Sequence, residues 1–186
     1  MTLYYARHGQ TDWNAQNRIC STTDVPLNET GIAQAHELAQ KVSELGEVDV
    51  IVASPMLRAK QTAEVVAQAI DKQIVFDERL REWDFGRLNG AQGEEFFEAV
   101  RQFRGSEFAL PLGETGETLL QLTYRVYAAL EDIRTTHAGK TVLVVAHGGV
   151  CRMIASYFHP LTAEEFAGFR MGNCELRCDY FPQAET

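Results

Sequence analysis

The sequence predicts an α/β fold with a mostly parallel sheet, and three observations carry that prediction. The runs "VDVIVAS" and "TVLVVAH" are almost wholly apolar, as strands buried on both faces of a parallel sheet are. Longer stretches between such runs place their apolar residues at helical spacing. The two kinds of segment alternate along the chain, which is the pattern of β–α–β units.

The elements follow in order. "LYYA" at residues 3–6 is too short for a helix and reads as a first strand that stops at Arg7-His8-Gly9. A polar stretch runs to Asp24, and the proline of "VPLNETG" turns the chain. Asn28 or Thr30 can cap the next helix, where Ile32, Ala35, Ala39 and Val42 form a stripe widened by Leu38 and Leu45. After the strand from Val48, Ser54-Pro55 supplies a helix start, with serine as N-cap and proline in the first turn. The helix "MLRAKQTAEVVAQAI" follows, then a short strand "IVF" at 74–76. Residues 77–93 read as loop, 94–104 as helix, and a glycine-rich loop continues to Gly116. "ETLLQLTYRVYAALEDIRTTH" is the longest helix, with Leu119, Leu122, Val126 and Leu130 near one face. "GGVCRMIASYF" continues as a helix after "TVLVVAH", and "CELRCDYF" is a final strand of alternating character, at an edge. No repeat, low-complexity tract or linker interrupts this order, so one domain over residues 1–186 is expected.

Composition narrows the function. The chain has 186 residues, 45% of them hydrophobic, enough for a core of its own. Its formal charge of −9 argues against nucleic acid and against an anionic membrane surface as partners. An anion site must therefore be a local basic pocket, which makes the placement of each arginine informative. No apolar stretch reaches the ~18 residues that span a bilayer, and the N-terminus enters the first strand at once instead of resembling a signal peptide; a soluble, cytoplasmic protein is expected. Cys20, Cys151, Cys174 and Cys178 form no CxxC pair, so reduced thiols are expected rather than a zinc site or a disulfide framework.

Two strands end alike, in "YYARHG" and "VVAHGG". In open α/β sheets ligands bind beyond the carboxyl ends of the strands. If both strands are central and parallel, His8 and His147 meet there, and the glycines that follow them, Gly9 and Gly148, let a ligand approach the backbone closely. One strand-terminal histidine would read as a surface or core residue; two in matching contexts read as a site. The nearby companions are arginines, which disfavour a metal and favour an anion. "SPMLRAKQTAE" brings a helix N-terminus to the same edge, another feature that attracts anions. Arg58, one turn in, joins Arg7 as a second guanidinium fork suited to phosphate oxygens.

"RHGQTDWN" resembles the signature of the histidine phosphatase superfamily, and the likeness extends through "DVPLNETGIAQA", "SPMLRAKQTAE", "LREWDFG", "GETLLQLTYRV" and "VVAHGGVCR" in the family's order. The resemblance implies a three-layer sandwich, its mostly parallel central sheet flanked by helices, with a small cap inserted around residues 85–116. It implies that His8 is a nucleophile forming a phosphohistidine, that Arg7, Arg58 and His147 bind the phosphoryl oxygens, and that Asn14 donates a further hydrogen bond. Groups near Cys20 and Ser21 would line the phosphate site together with Gly148. Glu82 in "LREWDFG" would protonate the leaving oxygen and then take a proton from water, with Asp84 as nearest competitor; the negative charge of a bound phosphate favours the protonated carboxyl this role needs. A small phosphomonoester is the expected partner, acted on by a monomer or homodimer with no metal and no organic cofactor.

Departures from the family's pattern refine the expectation. Mutases of the superfamily resemble "AHGNS" where this chain has "AHGGV", with Gly149 in place of the asparagine. They also carry a long insertion after the acid motif, whose tyrosine, lysine and paired arginines grip a second anionic group. The cap here has no lysine, although Arg87, Arg101 and Arg104 remain as partners for such a group. Leu88 and Asn89 replace the tryptophan and glutamate of "FGxWEG", and Ser21 replaces the usual glycine. A phosphomonoesterase is the leading expectation; a cofactor-dependent phosphoglycerate mutase and a weakly catalytic phosphate-ligand-binding regulatory member are the alternatives. Phe96, Phe97, Phe103 and Phe108 either anchor the cap or form an apolar wall over the site.

Overall fold

The computed structural model describes residues 1–102 and 109–182. Strands β1 (Thr2–Arg7), β2 (Val50–Ala53), β3 (Ile74–Phe76), β4 (Thr141–Ala146) and β5 (Leu176–Tyr180) form one sheet in the order β3-β2-β4-β1-β5. The first four run parallel, and β5 is antiparallel to β1 at the edge.

Helices cover both faces, so the expected three layers are present. On one face lie α2 (Glu29–Leu45) and α3 (Leu57–Ile70), whose Ala35, Leu38, Val42, Ala59, Ala63 and Val66 pack on Ile51, Ala53, Leu143 and Val145. On the other lie α5 (Leu119–Thr136) and α6 (Gly148–Phe158), packed on Val50, Val52, Val142 and Val144. Successive residues of a strand face opposite sides, so β4 divides its side chains between the two cores and is apolar and buried from Val142 to Ala146. Burial of each such valine stabilises the fold by roughly 1.5–3 kcal/mol.

Local starts and stops differ from expectation in instructive places. Asn28, not Thr30, caps α2, accepting from the Gly31 N–H at 2.8 Å. The helix after β2 begins at Leu57 with Met56 as N-cap, two residues later than Ser54-Pro55 suggests; the Ser54 hydroxyl still accepts from the Met56 N–H at 3.3 Å and also lies 2.8 Å from His147 Nε2. Two short helices escape a periodicity reading, α1 (Asp12–Ala15) and α7 (Ala163–Gly168), each held by a capping box. Residues 77–93, read as loop, contain two single turns at 78–80 and 86–88 that bury Leu80 and Leu88.

The cap carries α4 (Gly93–Gln102). Phe96 packs on Phe85, and Phe85 on Trp83, each pair with ring centres 4.8 Å apart, so Phe96 anchors the cap, whereas Phe97 is 49% exposed. Phe103, Arg104 and Phe108 lie outside the described residues. At its foot the cap is stitched to the segment after α1: Ile19 and Ala91, Gly90 and Ile19, and Gly93 and Asn17 are joined by backbone N–H···O=C bonds. Its return needs a glycine: Gly116 has φ +92°, and a Cβ there would lie 2.5 Å from the Asp84 carbonyl oxygen.

Candidate active site

Strands β1 and β4 are neighbours with Arg7 opposite Ala146, so the residues that follow them leave the sheet side by side. The His8 N–H donates to Ala146 O at 2.9 Å, and the His8 and His147 ring centres are 5.2 Å apart. His8 is further fixed through its neighbours: Asn173 Nδ2 donates to His8 O at 2.9 Å, and the Gly9 N–H donates to Thr62 Oγ1 at 3.1 Å.

The partners of the His8 ring set its tautomer. Nδ1 lies 2.7 Å from Gly9 O, and a carbonyl can only accept, so Nδ1 carries the hydrogen. Arg58 Nε donates to His8 Nε2 at 3.2 Å, so Nε2 presents its lone pair. Burial and the charges of Arg58 and Arg7 hold this imidazole well below its usual pKa, which keeps it neutral. A neutral ring with its Nε2 lone pair facing a guanidinium can attack an electrophile that the same guanidinium binds.

Arg58 is 0% exposed and is aimed by the loop after α1. Its two terminal nitrogens donate to the carbonyls of Thr23 (3.0 Å), Ser21 (2.9 Å) and Cys20 (3.2 Å). Cys20 and Ser21 thus face Arg58 with their carbonyls.

His147 is fully buried, and its Nε2 lies 2.8 Å from Ser54 Oγ. Its Nδ1 is buried without a hydrogen-bond partner, and so is Arg7 Nε, although Arg7 Nη1 donates to Met171 O at 2.9 Å. Buried polar nitrogens almost always find partners, so two unpaired ones beside His8 mark where an anion's oxygens would be bound. Burial and the surrounding cations, Arg58 first, hold His147 well below its usual pKa. Asn14 joins from α1: its Oδ1 accepts from the Thr11 N–H and from Asn173 Nδ2, an orientation that leaves its own Nδ2 to donate.

Both helix N-termini at this edge meet a carboxylate, Asp24 at α3 and Glu82 at α6. The first helical N–H of α3, at Leu57, donates to Asp24 Oδ1 at 2.6 Å, so that end is already occupied by a carboxylate. The N-terminus of α6 has His147 itself as N-cap, with no side-chain cap bond.

Glu82 reaches the same place from the loop after β3. Its Oε1 accepts from the N–H groups of Trp83 (2.8 Å) and Gly149 (3.0 Å), and its Oε2 from Gly149 at 3.2 Å. A Cβ on Gly149 would lie 2.5 Å from Glu82 Oε1, so glycine at that position is what admits the carboxylate. A Cβ on Gly148 would lie 3.8 Å from Arg7 Nε and 3.9 Å from Glu82 Oε2; Gly148 stands between the cation and the acid. Asp84 instead caps a turn, accepting from the Gly86 N–H at 2.8 Å.

Two of the sequence's departures from the family pattern meet here. The Ser21 N–H donates to Asn89 Oδ1 at 3.1 Å, and Asn89 Nδ2 donates to Thr23 Oγ1. The buried Ser21 hydroxyl donates to Trp83 O at 2.6 Å and accepts from the Phe85 N–H at 3.0 Å. Ser21 therefore holds the acid loop with its side chain while its carbonyl holds Arg58. Sequence reasoning missed Ser54, Thr62, Asn173 and Arg125. Arg125 pairs with Glu117 at 2.6 Å and donates to the carbonyls of Arg79, Arg81 and Glu82. Ser54, Thr62 and Arg125 fall within "SPMLRAKQTAE" and "GETLLQLTYRV", and Asn173 lies outside the motifs. All four contact backbone or ring atoms far away in sequence, which the motifs do not reveal.

The model of the histidine phosphatase superfamily (branch 1) matches residues 3–181. The chain belongs to that superfamily. Among its relatives is a protein of Shigella boydii named probable phosphoglycerate mutase GpmB, 35% identical over 187 residues that cover 97% of this chain and 85% of that protein. A phosphoserine phosphatase of Entamoeba histolytica, solved in complex with 3-phosphoglyceric acid, has a TM-score of 0.84 at 29% identity, covering 95% of this chain and 89% of that one. The α-ribazole phosphatase of Shigella flexneri shares the fold, with a TM-score of 0.84 at 21% identity over 98% of this chain and 92% of its own. Among the described residues of this superfamily member, no helix is long and apolar enough to cross a membrane.

Proposed function

We propose that this chain is a phosphomonoesterase that hydrolyses a small phosphorylated metabolite through a phosphohistidine. The observation that carries the reading is the His8 ring, buried and neutral, with its Nε2 lone pair directed at Arg58.

Nε2 attacks phosphorus in line, forming a P–N bond as the P–O bond to the alcohol breaks. Arg7, Arg58, His147 Nδ1 and Asn14 Nδ2 take the equatorial oxygens, where charge is spread in the transition state. The Glu82 carboxyl gives its proton to the departing alkoxide. The same group then takes a proton from water as the water oxygen attacks phosphorus, the P–N bond breaks, and phosphate and neutral His8 are released. Superfamily membership and the likeness to the phosphoserine phosphatase support this reading. The absence of a lysine from the cap and Gly149 in place of the mutases' asparagine also favour hydrolysis over a cap-held mutase reaction.

The test is phosphate release from p-nitrophenyl phosphate and a panel of sugar, nucleoside and hydroxy-acid phosphates in EDTA. Interconversion of 2- and 3-phosphoglycerate with a bisphosphoglycerate primer is assayed beside it. Hydrolysis with an acid-labile, base-stable phosphoenzyme in rapid quench is expected. Interconversion with little phosphate release would overturn the phosphatase reading.

A further inference from the structure

Three neighbouring strands each place one residue just beyond the sheet at the same edge. β2, β4 and β1 lie side by side, and Ser54, His147 and His8 follow them. The backbone fixes this row. Ala53 stands opposite Val145, the Ser54 N–H donates to Val145 O at 3.0 Å, and the His8 N–H donates to Ala146 O at 2.9 Å. The proposed chemistry uses both histidines. It leaves Ser54, which is 0% exposed, without a part.

The two ring nitrogens of His147 are not interchangeable. A neutral imidazole has one N–H and one lone pair, and the hydrogen can sit on either nitrogen. Burial, and after it the charge of Arg58, keep His147 neutral, so there is a choice to make. With the hydrogen on Nδ1, that buried and unpaired nitrogen can donate to a phosphoryl oxygen. With the hydrogen on Nε2, Nδ1 would turn a lone pair toward the oxygen and repel it. In His8 a carbonyl settles the matter, because it only accepts. The partner of His147 Nε2 is the Ser54 hydroxyl at 2.8 Å, which can donate or accept.

The other bond of that hydroxyl decides between the two. Pro55 has no N–H, so the first backbone donor after Ser54 is Met56, whose N–H reaches Ser54 Oγ at 3.3 Å. An N–H only donates, so the hydroxyl accepts on that side. Among the described residues, Met56 N and His147 Nε2 are the two partners of Ser54 Oγ. Were Nε2 to donate as well, the hydroxyl hydrogen would be buried without an acceptor, at a cost. If the hydroxyl donates to Nε2 instead, every group is matched and the hydrogen of His147 falls on Nδ1. The Met56 N–H, the Ser54 O–H and the His147 Nδ1–H then all donate in one direction, each polarising the next, toward the anion site.

We propose that Ser54 is a positioning residue: its hydroxyl donates to His147 Nε2 and so holds the ring in the tautomer that offers Nδ1–H to the phosphoryl group. The tautomer follows from the hydrogen bonds alone, whereas its use in phosphoryl transfer rests on the phosphomonoesterase reading.

The experiment is nitrogen NMR at neutral pH on protein labelled with 15N in its histidine rings, the His147 signals being assigned by their loss in His147→Gln. In wild type, Nδ1 is expected to be protonated and Nε2 bare; the reverse would overturn the proposal. Ser54→Ala is expected to move the ring toward the other tautomer. Its kcat on alkyl and aryl esters should fall together by about ten- to a hundredfold, less than outright loss of a transition-state donor because the productive tautomer stays accessible. Ser54→Thr keeps the hydroxyl and is expected to keep the wild-type ring. A purely structural serine, acting only through its bond to Met56, would cost stability in Ser54→Ala and leave the ring nitrogens unmoved; that result would also overturn the proposal. Should Ser54→Ala fail to fold, Ser54→Cys presents a much weaker donor, and an unchanged His147 ring in it would count against the role. A wild type that hydrolyses no ester would sink the phosphomonoesterase reading, while the ring nitrogens, read without substrate, would still sustain or overturn the part given to Ser54.

Discussion

The two halves of the site are built by different means. His8 and His147 sit at the ends of adjacent parallel strands, and the sheet's own hydrogen bonds bring them together. Glu82 sits on a loop with almost no regular structure. It is positioned by backbone N–H groups on the carboxylate, by Arg125 on the loop carbonyls, and by the Ser21 hydroxyl on Trp83 and Phe85. The histidine half inherits its geometry from secondary structure, whereas the Glu82 half depends on individual side chains. Damage should therefore be categorical on the first half and graded on the second.

The largest effect is expected from His8→Ala, which on the proposed reading removes the group that forms the covalent intermediate and should cut turnover of every ester by at least about a thousandfold; residual near-normal rates would remove His8 from the role. Glu82→Gln should slow alkyl phosphate hydrolysis by about 10²–10⁴-fold. p-Nitrophenolate leaves without a proton, so the first step with that substrate should be much less affected, and equal burst-phase losses on both substrates would count against the acid. Ser21→Ala should be milder. It leaves Trp83 O and the Phe85 N–H without a partner and should cost about 1–3 kcal/mol of stability, with the rate loss larger for alkyl than for aryl esters. A uniform rate loss would mean that Ser21 acts through Arg58 instead.

A further effect, on stability alone, concerns pH. His8 and His147 are held well below their usual value of 6.5, so the folded protein resists protonation that the unfolded chain accepts. The histidine contribution to stability is therefore complete above about pH 6.5 and declines as pH falls toward the folded-state values, by up to about 1.4 kcal/mol per pH unit for each ring. Urea denaturation between pH 5 and 7.5 measures it, and His147→Gln should flatten the slope by about one proton.

The sequence made the first half of the site readable and the second half much less so. Wholly apolar strands, the histidine that follows each, and the order of helices come from short-range pattern, and the sheet, its edge strand and the meeting of His8 with His147 agree with it. Glu82 is recognisable only by its motif, for a loop has no period. The engagement of Ser54 with His147, the occupation of the α3 N-terminus by Asp24, and the contact of Ser21 with Asn89 link residues far apart in sequence. Such contacts leave no local trace. Ser21 and Asn89 each look like an isolated departure in one dimension and become partners in three.

The pairing of β1 also bears on how the protein is made. Its neighbours in the sheet are β4 and β5, which follow it by more than a hundred residues. Contacts of such long range form late and slow the folding of a chain. During synthesis, the segment bearing Arg7 and His8 emerges well before β4 and has no strand on that side to pair with until residues 141–146 leave the ribosome. Helices α2 and α3 with β2 and β3 can begin to associate before then. His8 is thus translated long before the strands that surround it, so a chain stalled before β4 would carry His8 without the neighbours that keep it neutral and aimed.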